Sequence, residues 1–425
     1  MTVMTRIAEL ALIISTNTEQ VDAHLARRGL PSPSFDPDSP AGTLRDSQIV
    51  AARLAILEAT DELHALMLGP VELLTRQQPY NSWISLQAIV KFGLASSFPP
   101  GQVEASFADI AAASSLPEAT VRRLLRHAMA FRIFQEPSEG IVRHTTASKT
   151  LADTPLLRQW MGMVSEELWP AATKTVEALT KWPGSEEPNH AGFNIAHDTD
   201  ATIFDEISKY SDRHRRYADA MTFYSKGAGL EAHHILKGYD WSSLGESTIV
   251  DVGGSHGTLS IAIAQAFPSL RCVVQDRPHV IGLGQENLPS DLHDRVSFMA
   301  HDFFEEQPLR GAEIYTLRWI LHDWPDKYAV RILQRLVPAL KPGAKVLVLE
   351  QVLPSVGELS RYQEKAYRSM DLAMLATHNA KERDMEDWRQ LFKMADLGYE
   401  ITSVTTPKDS RLSIIEATWQ SQRAY

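Results

Sequence analysis

The feature that most limits how this chain can fold is an alternation that begins after Trp241. Short apolar runs (STIVDVG, LRCVVQD, VSFMAHDFF, AEIYTLRWI, AKVLVLEQVL) are separated by helix-period segments such as LSIAIAQAF, HVIGLGQENL and YAVRILQRLVPAL. Strands alternating with amphipathic helices imply an α/β fold, a parallel sheet with helices on both faces. Ligands of such sheets bind in the crevice outside the carboxyl ends of the strands. The first strand ends there in VDVGGSHGTLS, Val250 to Ser260, a glycine-rich loop behind an aspartate.

The glycine spacing discriminates between ligands. A dinucleotide fingerprint places glycines at relative positions one, three and six, so that backbone can approach a pyrophosphate. Here Gly253, Gly254 and Gly257 occupy one, two and five behind Asp251, which disfavours a nicotinamide oxidoreductase. Glycines let the turn pass close under a ligand without a Cβ clash, and Asp251 either orients the loop or attracts a cationic amino group. Asp276 closes the second strand nineteen residues after Gly257, in position to accept hydrogen bonds from two ribose hydroxyls. Asp302, at the end of the third strand, is suited to an adenine amino group. The series suits a nucleoside that carries an amino acid.

Composition sets the outer limits. A chain of 425 residues, 44% hydrophobic and 22% charged, has the length of two or three domains. The formal net charge of -11 opposes general attraction to nucleic acid or anionic lipid. Cys272 is the only cysteine, which excludes an internal disulfide and a multi-thiolate metal site and fits a reducing, cytoplasmic compartment. The start, MTVMTRIAELALIIST, reads as a helix instead of a signal peptide. No apolar run approaches the roughly 20 residues that span a bilayer, so no membrane partner is expected.

Three regions follow: an N-terminal arm and linker (1–46), a helical domain (47–153), and connector helices leading into the cofactor-binding domain (154–425). Pro, Ser and Asp enrich the second half of Ser15–Gly42, the basis for the linker reading. Helical spacing runs from about Ser47 to Leu73 and through SWISLQAIVKFGLASSF. Then a helix, a turn at Ser114-Ser115, a second helix from Pro117 and two short strands around Ser138-Glu139-Gly140 make a winged-helix pattern. Its second helix is expected to carry Arg122, Arg123, Arg126 and Arg132 as well as Val121, Leu124, Leu125 and Met129. DNA binding and dimerisation both remain open on this pattern; the acidic chain favours dimerisation. The connector holds many Met and aromatic side chains, including Met221 and Phe223, most of them core and the rest lining for an apolar pocket.

With these motifs in order, the chain resembles the S-adenosylmethionine-dependent O-methyltransferases of the caffeic acid type, in their fungal secondary-metabolite branch. The matching residues are VDVGGSHG, VVQDRPHVI, HDFF, LRWILHDWPD, LKPGAKVLVLEQVLP and MDLAMLATHNAKERDMEDW. Ser255 replaces a frequent glycine, and Arg318 stands where lysine is common. The resemblance implies a Rossmann-like class I methyltransferase domain with a winged-helix dimerisation domain, hence a homodimer. It implies S-adenosylmethionine as cofactor, with S-adenosylhomocysteine as product, held by Asp251, Gly253, Gly254, Gly257, Asp276, Asp302, Phe303 and Arg318. Trp324, Met374, Asn379, Met221 and Phe223 would surround an aromatic or polyketide-type substrate.

Methyl transfer to a hydroxyl needs a base. His322 in LHDWPD lies just beyond the fourth strand, and a neutral imidazole is the usual base near pH 7. Between a phenol and a histidine of ordinary pKa the proton transfer is uphill by about 5 kcal/mol. A carboxylate on the other ring nitrogen narrows that gap. Glu350, at the end of the fifth strand, and Glu382 in AKERD are the candidates, and by resemblance all three match the family's catalytic histidine and flanking glutamates. The pair His233-His234 lacks carboxylates at ligand spacing, so no metal is expected. Two alternatives stay open: a relative of the same fold that keeps S-adenosylmethionine as a bound charge and catalyses dehydration or pericyclic closure, and a winged-helix regulator.

Overall fold

Residues 4–40, 42, 44, 46–75 and 79–420 are described by a computed structural model; the first three positions of the expected N-terminal helix and positions 41, 43 and 45 of the expected arm lie outside them. They divide into two units, the first formed by Met1–Trp169, Asp212–Ala220 and Gly357–Ala366. Its opening helix, Arg6–Arg27, is capped by the Thr5 hydroxyl, which accepts from the Ala8 N–H. The helix takes in the first half of the stretch read as a linker and ends before Gly29, whose φ is +63°. Val21 and Leu25 pack against Ile49 and Ala52, which open the next helix, Val50–Thr75, broken by a non-helical Gly69 ahead of Pro70. The helix Pro79–Lys91 stops short of the left-handed Gly93.

A small three-stranded sheet follows, built of β1 (Glu104–Ser106), β2 (Gln135–Ser138) and β3 (Ile141–Arg143) in the order β1-β3-β2. Between β1 and β2 run helices Phe107–Ser114 and Glu118–Ala130, turned by a left-handed Ser115. Val121, Leu125 and Ala128 face Phe107, Ile110, Phe134 and Val142 in one core. Arg132, expected on this helix, lies beyond its end at Ala130 and takes φ +65°; two of the arginines on the helix already have partners: Arg126 donates twice to Glu136 at 2.8 Å, and Arg122 bonds Glu118 and lies 4.4 Å over the Phe107 ring.

The second unit comprises Pro170–Ser211, Met221–Val356 and Tyr367–Tyr425. Its sheet holds β4 (Ser247–Val252), β5 (Leu270–Asp276), β6 (Val296–Ala300), β7 (Ile314–Arg318), β8 (Lys345–Glu350), β9 (Tyr399–Thr405) and β10 (Ser413–Trp419), in the order β6-β5-β4-β7-β8-β10-β9. The first five strands are parallel, as expected. The far edge is not, because β10 runs antiparallel to both β8 and β9; β9 and β10 are joined by a short connection with no helix, which can only reverse the chain. Side chains alternate across the sheet. Val250, Val252, Leu317, Val346 and Val348 join helices Asp326–Leu336 and Met385–Ala395 on one face. Ile249, Ile314, Leu347 and Leu349 join helix Thr258–Ala266 on the other. The strand order reverses between β4 and β7, the switch point at which an open α/β sheet leaves a crevice at its carboxyl edge.

Candidate active site

The glycine loop leaves β4 at this switch point. Asp251 is 2% exposed, and its two oxygens accept from Ser260 Oγ (2.7 Å) and Thr316 Oγ1 (2.9 Å). Burial raises its pKa. The carboxylate therefore ties β4 to the following helix and to β7, the loop-orienting alternative of the sequence reading. Gly253 and Gly254 donate to Gln275 O at 2.8 and 3.0 Å. Gly253 has φ +72°, and a Cβ there would lie 2.4 Å from Ile320 Cδ1. Gly257, at φ +75°, opens helix Thr258–Ala266 against Val274 and Phe298. Ser255, where a glycine is frequent, also takes a left-handed conformation, φ +52°, which a side chain tolerates at a cost.

Asp276 ends β5; its oxygens accept from the Ser255 and Arg277 N–H groups, one each, and burial raises its pKa. A carboxylate oxygen can accept further bonds, so both retain capacity. Asp302 follows β6 and accepts from Phe304 N. Phe303 stands edge-on to Trp324, ring centroids 5.9 Å apart. Arg318 ends β7, donates from Nη2 to Leu230 O (2.6 Å) and lies 4.3 Å over the Trp319 ring. Its Nε is buried without a partner, and burial lowers the guanidinium to about 10. A cation with an unmatched buried donor at the end of β7, and a carboxylate with spare acceptor capacity at the end of β5, suit a ligand that carries both a carboxylate and vicinal hydroxyls.

The base candidate stands at the ends of β7 and β8. Trp319 takes φ +54°, rare for a bulky residue, and this turns the chain into a short helix, Leu321–Asp323. Glu350, the last residue of β8 and fully buried, accepts the N–H groups of Ile320 (2.9 Å) and Leu321 (3.0 Å) through Oε1. His322 Nδ1 lies 2.8 Å from Glu382 Oε1 and 3.7 Å from Glu350 Oε2. Glu382 is itself held by its N–H, which donates to Asp371 Oδ1 (3.0 Å). The remaining nitrogen, Nε2, is 3.4 Å from Asp323 Oδ1. Glu350 Oε2 and Glu382 Oε2 are buried without partners.

Burial disfavours the charged imidazole, but Glu350, Asp323 and Glu382 outweigh it and lift His322 well above its ordinary pKa. Burial likewise pushes Glu350 up to about 7. The surroundings thus favour the imidazolium of His322, and from that form it must lose a proton before it can accept one. Nδ1 faces Glu382, so Nε2 is the nitrogen that can take a proton from a substrate.

Of the residues expected around the substrate, Trp324 and Met374 are nearly buried, each 8% exposed. Trp324 packs among Phe204, Phe303, Phe304 and Tyr328. Met221 and Phe223 are half-buried near the end of helix Ser211–Ser225. Asn379, left-handed at φ +52°, uses its amide to bond the Ser185 and Glu187 carbonyls, which makes it a strut for that loop. Three groups escaped the sequence reading. Arg383 follows Glu382 in a run that reads as solvated, yet it is fully buried and bonds Leu321 O, Trp324 O and Asp326 Oδ1; its signal was the acid of LHDWPD. Asp323 was adjacent to the chosen histidine, and His378 stood within the quoted THN. Nor does the pair His233-His234 lack a carboxylate: Glu231 Oε2 is 3.3 Å from His234 Nε2, at a visible spacing of three.

The chain is similar to known proteins along most of its length. A family model described as an O-methyltransferase domain matches residues 179–400. The chain is 37% identical to the grayanic acid biosynthesis cluster O-methyltransferase of Cladonia grayi, over 99% of this chain and 89% of that one. It is 38% identical to O-methyltransferase pyvH of Aspergillus violaceofuscus, over 98% and 99%. Two solved structures share the fold at 22% identity. One is OxaC in complex with SAH and oxaline (TM-score 0.75, 97% of this chain and 100% of that one); the other is described as a pericyclic reaction enzyme (TM-score 0.73, 96% and 99%). On the family model and the full-length fungal relatives, the chain belongs to the O-methyltransferase family.

Proposed function

We propose that this O-methyltransferase methylates a phenolic or enolic hydroxyl of an aromatic or polyketide-type secondary metabolite, with His322 as general base. The carrying observation is the placement of His322, Nδ1 against Glu382 and turn fixed by Glu350, leaving Nε2 for a substrate hydroxyl. S-adenosylmethionine, when bound, supplies an electrophilic methyl on a cationic sulfur. Arg318 is suited to its carboxylate and Asp276 to its ribose, with Asp302 and Phe303 assigned to its adenine and the loop from Gly253 to Gly257 beneath, oriented by Asp251. His322 Nε2 takes the hydroxyl proton while Glu382 holds the opposite nitrogen and stabilises the imidazolium. Met221, Phe223, Trp324, Met374 and Asn379 are assigned to the substrate side, Asn379 through the loop it braces.

The helical region 47–153 is read as a winged-helix dimerisation domain, after an arm (1–46) and before the connector and methyltransferase domain (154–425). Exposed apolar residues on helix Val50–Thr75 (Leu66, Met67, Val71, Leu74) support a homodimer, and the paired arginines of helix Glu118–Ala130 speak against nucleic acid. No helix among the described residues is long and apolar enough to cross a membrane; a cytoplasmic location is part of the reading. A pericyclic relative shares the fold, but a protein freed from deprotonating a hydroxyl has no need of a histidine between two buried carboxylates. The test incubates the protein with methyl-labelled S-adenosylmethionine and a fungal metabolite extract. Label in a product with stoichiometric S-adenosylhomocysteine supports the reading; a changed metabolite with intact cofactor refutes it.

A further inference from the structure

Hydrogen-bond donors at His378 do not add up as drawn. His378 ends helix Arg361–His378 and is 7% exposed. Thr377 has a single hydroxyl proton, which it donates to Ala373 O at 2.6 Å. His378 Nδ1 lies 2.6 Å from the same hydroxyl, so Nδ1–H must be the donor in that contact. Nε2 is then either a bare lone pair or a second N–H. It is buried without a hydrogen-bond partner and faces Asp323 Oδ1 at 3.5 Å. A bare lone pair against a carboxylate would set two buried acceptors face to face with no hydrogen between them, an arrangement that burial penalises.

We propose that His378 and Asp323 share one proton, and that His378 thereby acts as a positioning residue: it weakens, without abolishing, the pull of the Asp323 carboxylate on His322 Nε2. This rests on the reading of His322 as the base. Asp323 Oδ1 lies almost midway between the two imidazoles, 3.4 Å from His322 Nε2 and 3.5 Å from His378 Nε2. Burial holds the His378 imidazole below its ordinary pKa while Asp323 draws it upward; a proton shared with the carboxylate satisfies both. The other charged and titratable groups here are Glu350 from β8, Glu382 and Arg383 beyond the helix, Asp326 paired with Arg383, and Asp371 and Tyr224 facing Glu382. The charged group that faces His378 Nε2 is Asp323. Phe204 packs 5.3 Å from its ring.

Without His378, Asp323 would stand as a full charge beside His322 Nε2, favouring the imidazolium. The experiment follows the His322 imidazole by nitrogen NMR on histidine-labelled, cofactor-free protein, its signal identified by loss in His322→Gln. In His378→Phe and in His378→Gln, which donates a hydrogen bond but no transferable proton, the His322 titration should move up by about 1–2 pH units, the size an adjacent opposite charge produces. The acid limb of methyl transfer should move with it. Asp323→Asn in either background should return the titration to the wild-type position or below. A titration unmoved in both His378 variants, or raised equally with Asp323→Asn present, overturns the proposal. If the NMR shifts occur in a protein that transfers no methyl, the His378 inference holds and the methyl-transfer reading is the one that fails.

Discussion

The glycine loop after β4 and the turn after β7 lie at the same edge of one sheet and treat their polar groups in opposite ways. In the loop nearly every group has a structural partner: Asp251 holds Ser260 and Thr316, and the glycine N–H groups hold Gln275. Around the turn, groups are buried and left incomplete: Glu350 Oε2, Glu382 Oε2 and His378 Nε2 have no hydrogen-bond partner, and Trp319 and Asn379 sit at positive φ. Satisfied groups fix a shape. Unsatisfied buried charges cost stability and persist where chemistry uses them. The loop therefore reads as a cradle and the turn as the reacting end.

The sharpest way to break this contrast is His322→Ala. It should lower turnover by at least about 100-fold, the usual contribution of a general base, with cofactor affinity nearly unchanged because the loop keeps its own bonds. Steady-state kinetics and a direct binding titration measure the two effects separately. Equal losses in both would mean that loop and turn are one site without division of labour.

Much of this was legible in the sequence where the signal is local. Strand runs alternating with helices pointed to the five parallel strands, and Asp276 and Glu350 close their strands where expected, whereas Asp302 lies two residues beyond β6, which stops at Ala300 where its pairing with β5 ends. Glu382 needed the family resemblance, since nothing local shows that it folds back onto His322. What stayed hidden depends on distant partners. The burial of Arg383 follows from carbonyls at Leu321 and Trp324, some sixty positions away, and a charged run carries no mark of such contacts. Asn379 braces carbonyls nearly two hundred positions earlier. The upward pull on His322 was hidden for the same reason: Glu350, Asp323 and Glu382 converge on it from separate segments, and only their joint field sets its direction.

Glu382→Gln sharpens the contrast from the side of pH. The Glu382 carboxylate stabilises the imidazolium, so its removal lowers the pKa of His322 and moves the acid limb of the rate profile to lower pH. A weaker base is also a poorer one, and the plateau rate should fall by about tenfold. Thermal stability should fall, since His322 loses the nearest partner of a buried ion pair. An acid limb that stays in place would separate Glu382 from the proton on His322.

The smallest effect tests whether the two regions touch. Gly253 lies in the loop and Ile320 in the turn, and a Cβ on residue 253 would meet Ile320 Cδ1 at 2.4 Å and Cγ1 at 3.2 Å. Gly253→Ala therefore adds overpacking, about 1–3 kcal/mol, to the strain of a side chain at φ +72°, about 1–2 kcal/mol. Ile320→Val deletes Cδ1 alone and by itself costs about 0.5–1.5 kcal/mol. In the double variant the overlap is relieved while the strain at residue 253 remains. Its stability loss, from urea unfolding, should be smaller than the sum of the single losses by about 1 kcal/mol, well outside the few tenths within which independent sites add. A strictly additive cycle would mean that the cradle tolerates the methyl by moving away from the turn, and that the loop sets cofactor position without constraining the base.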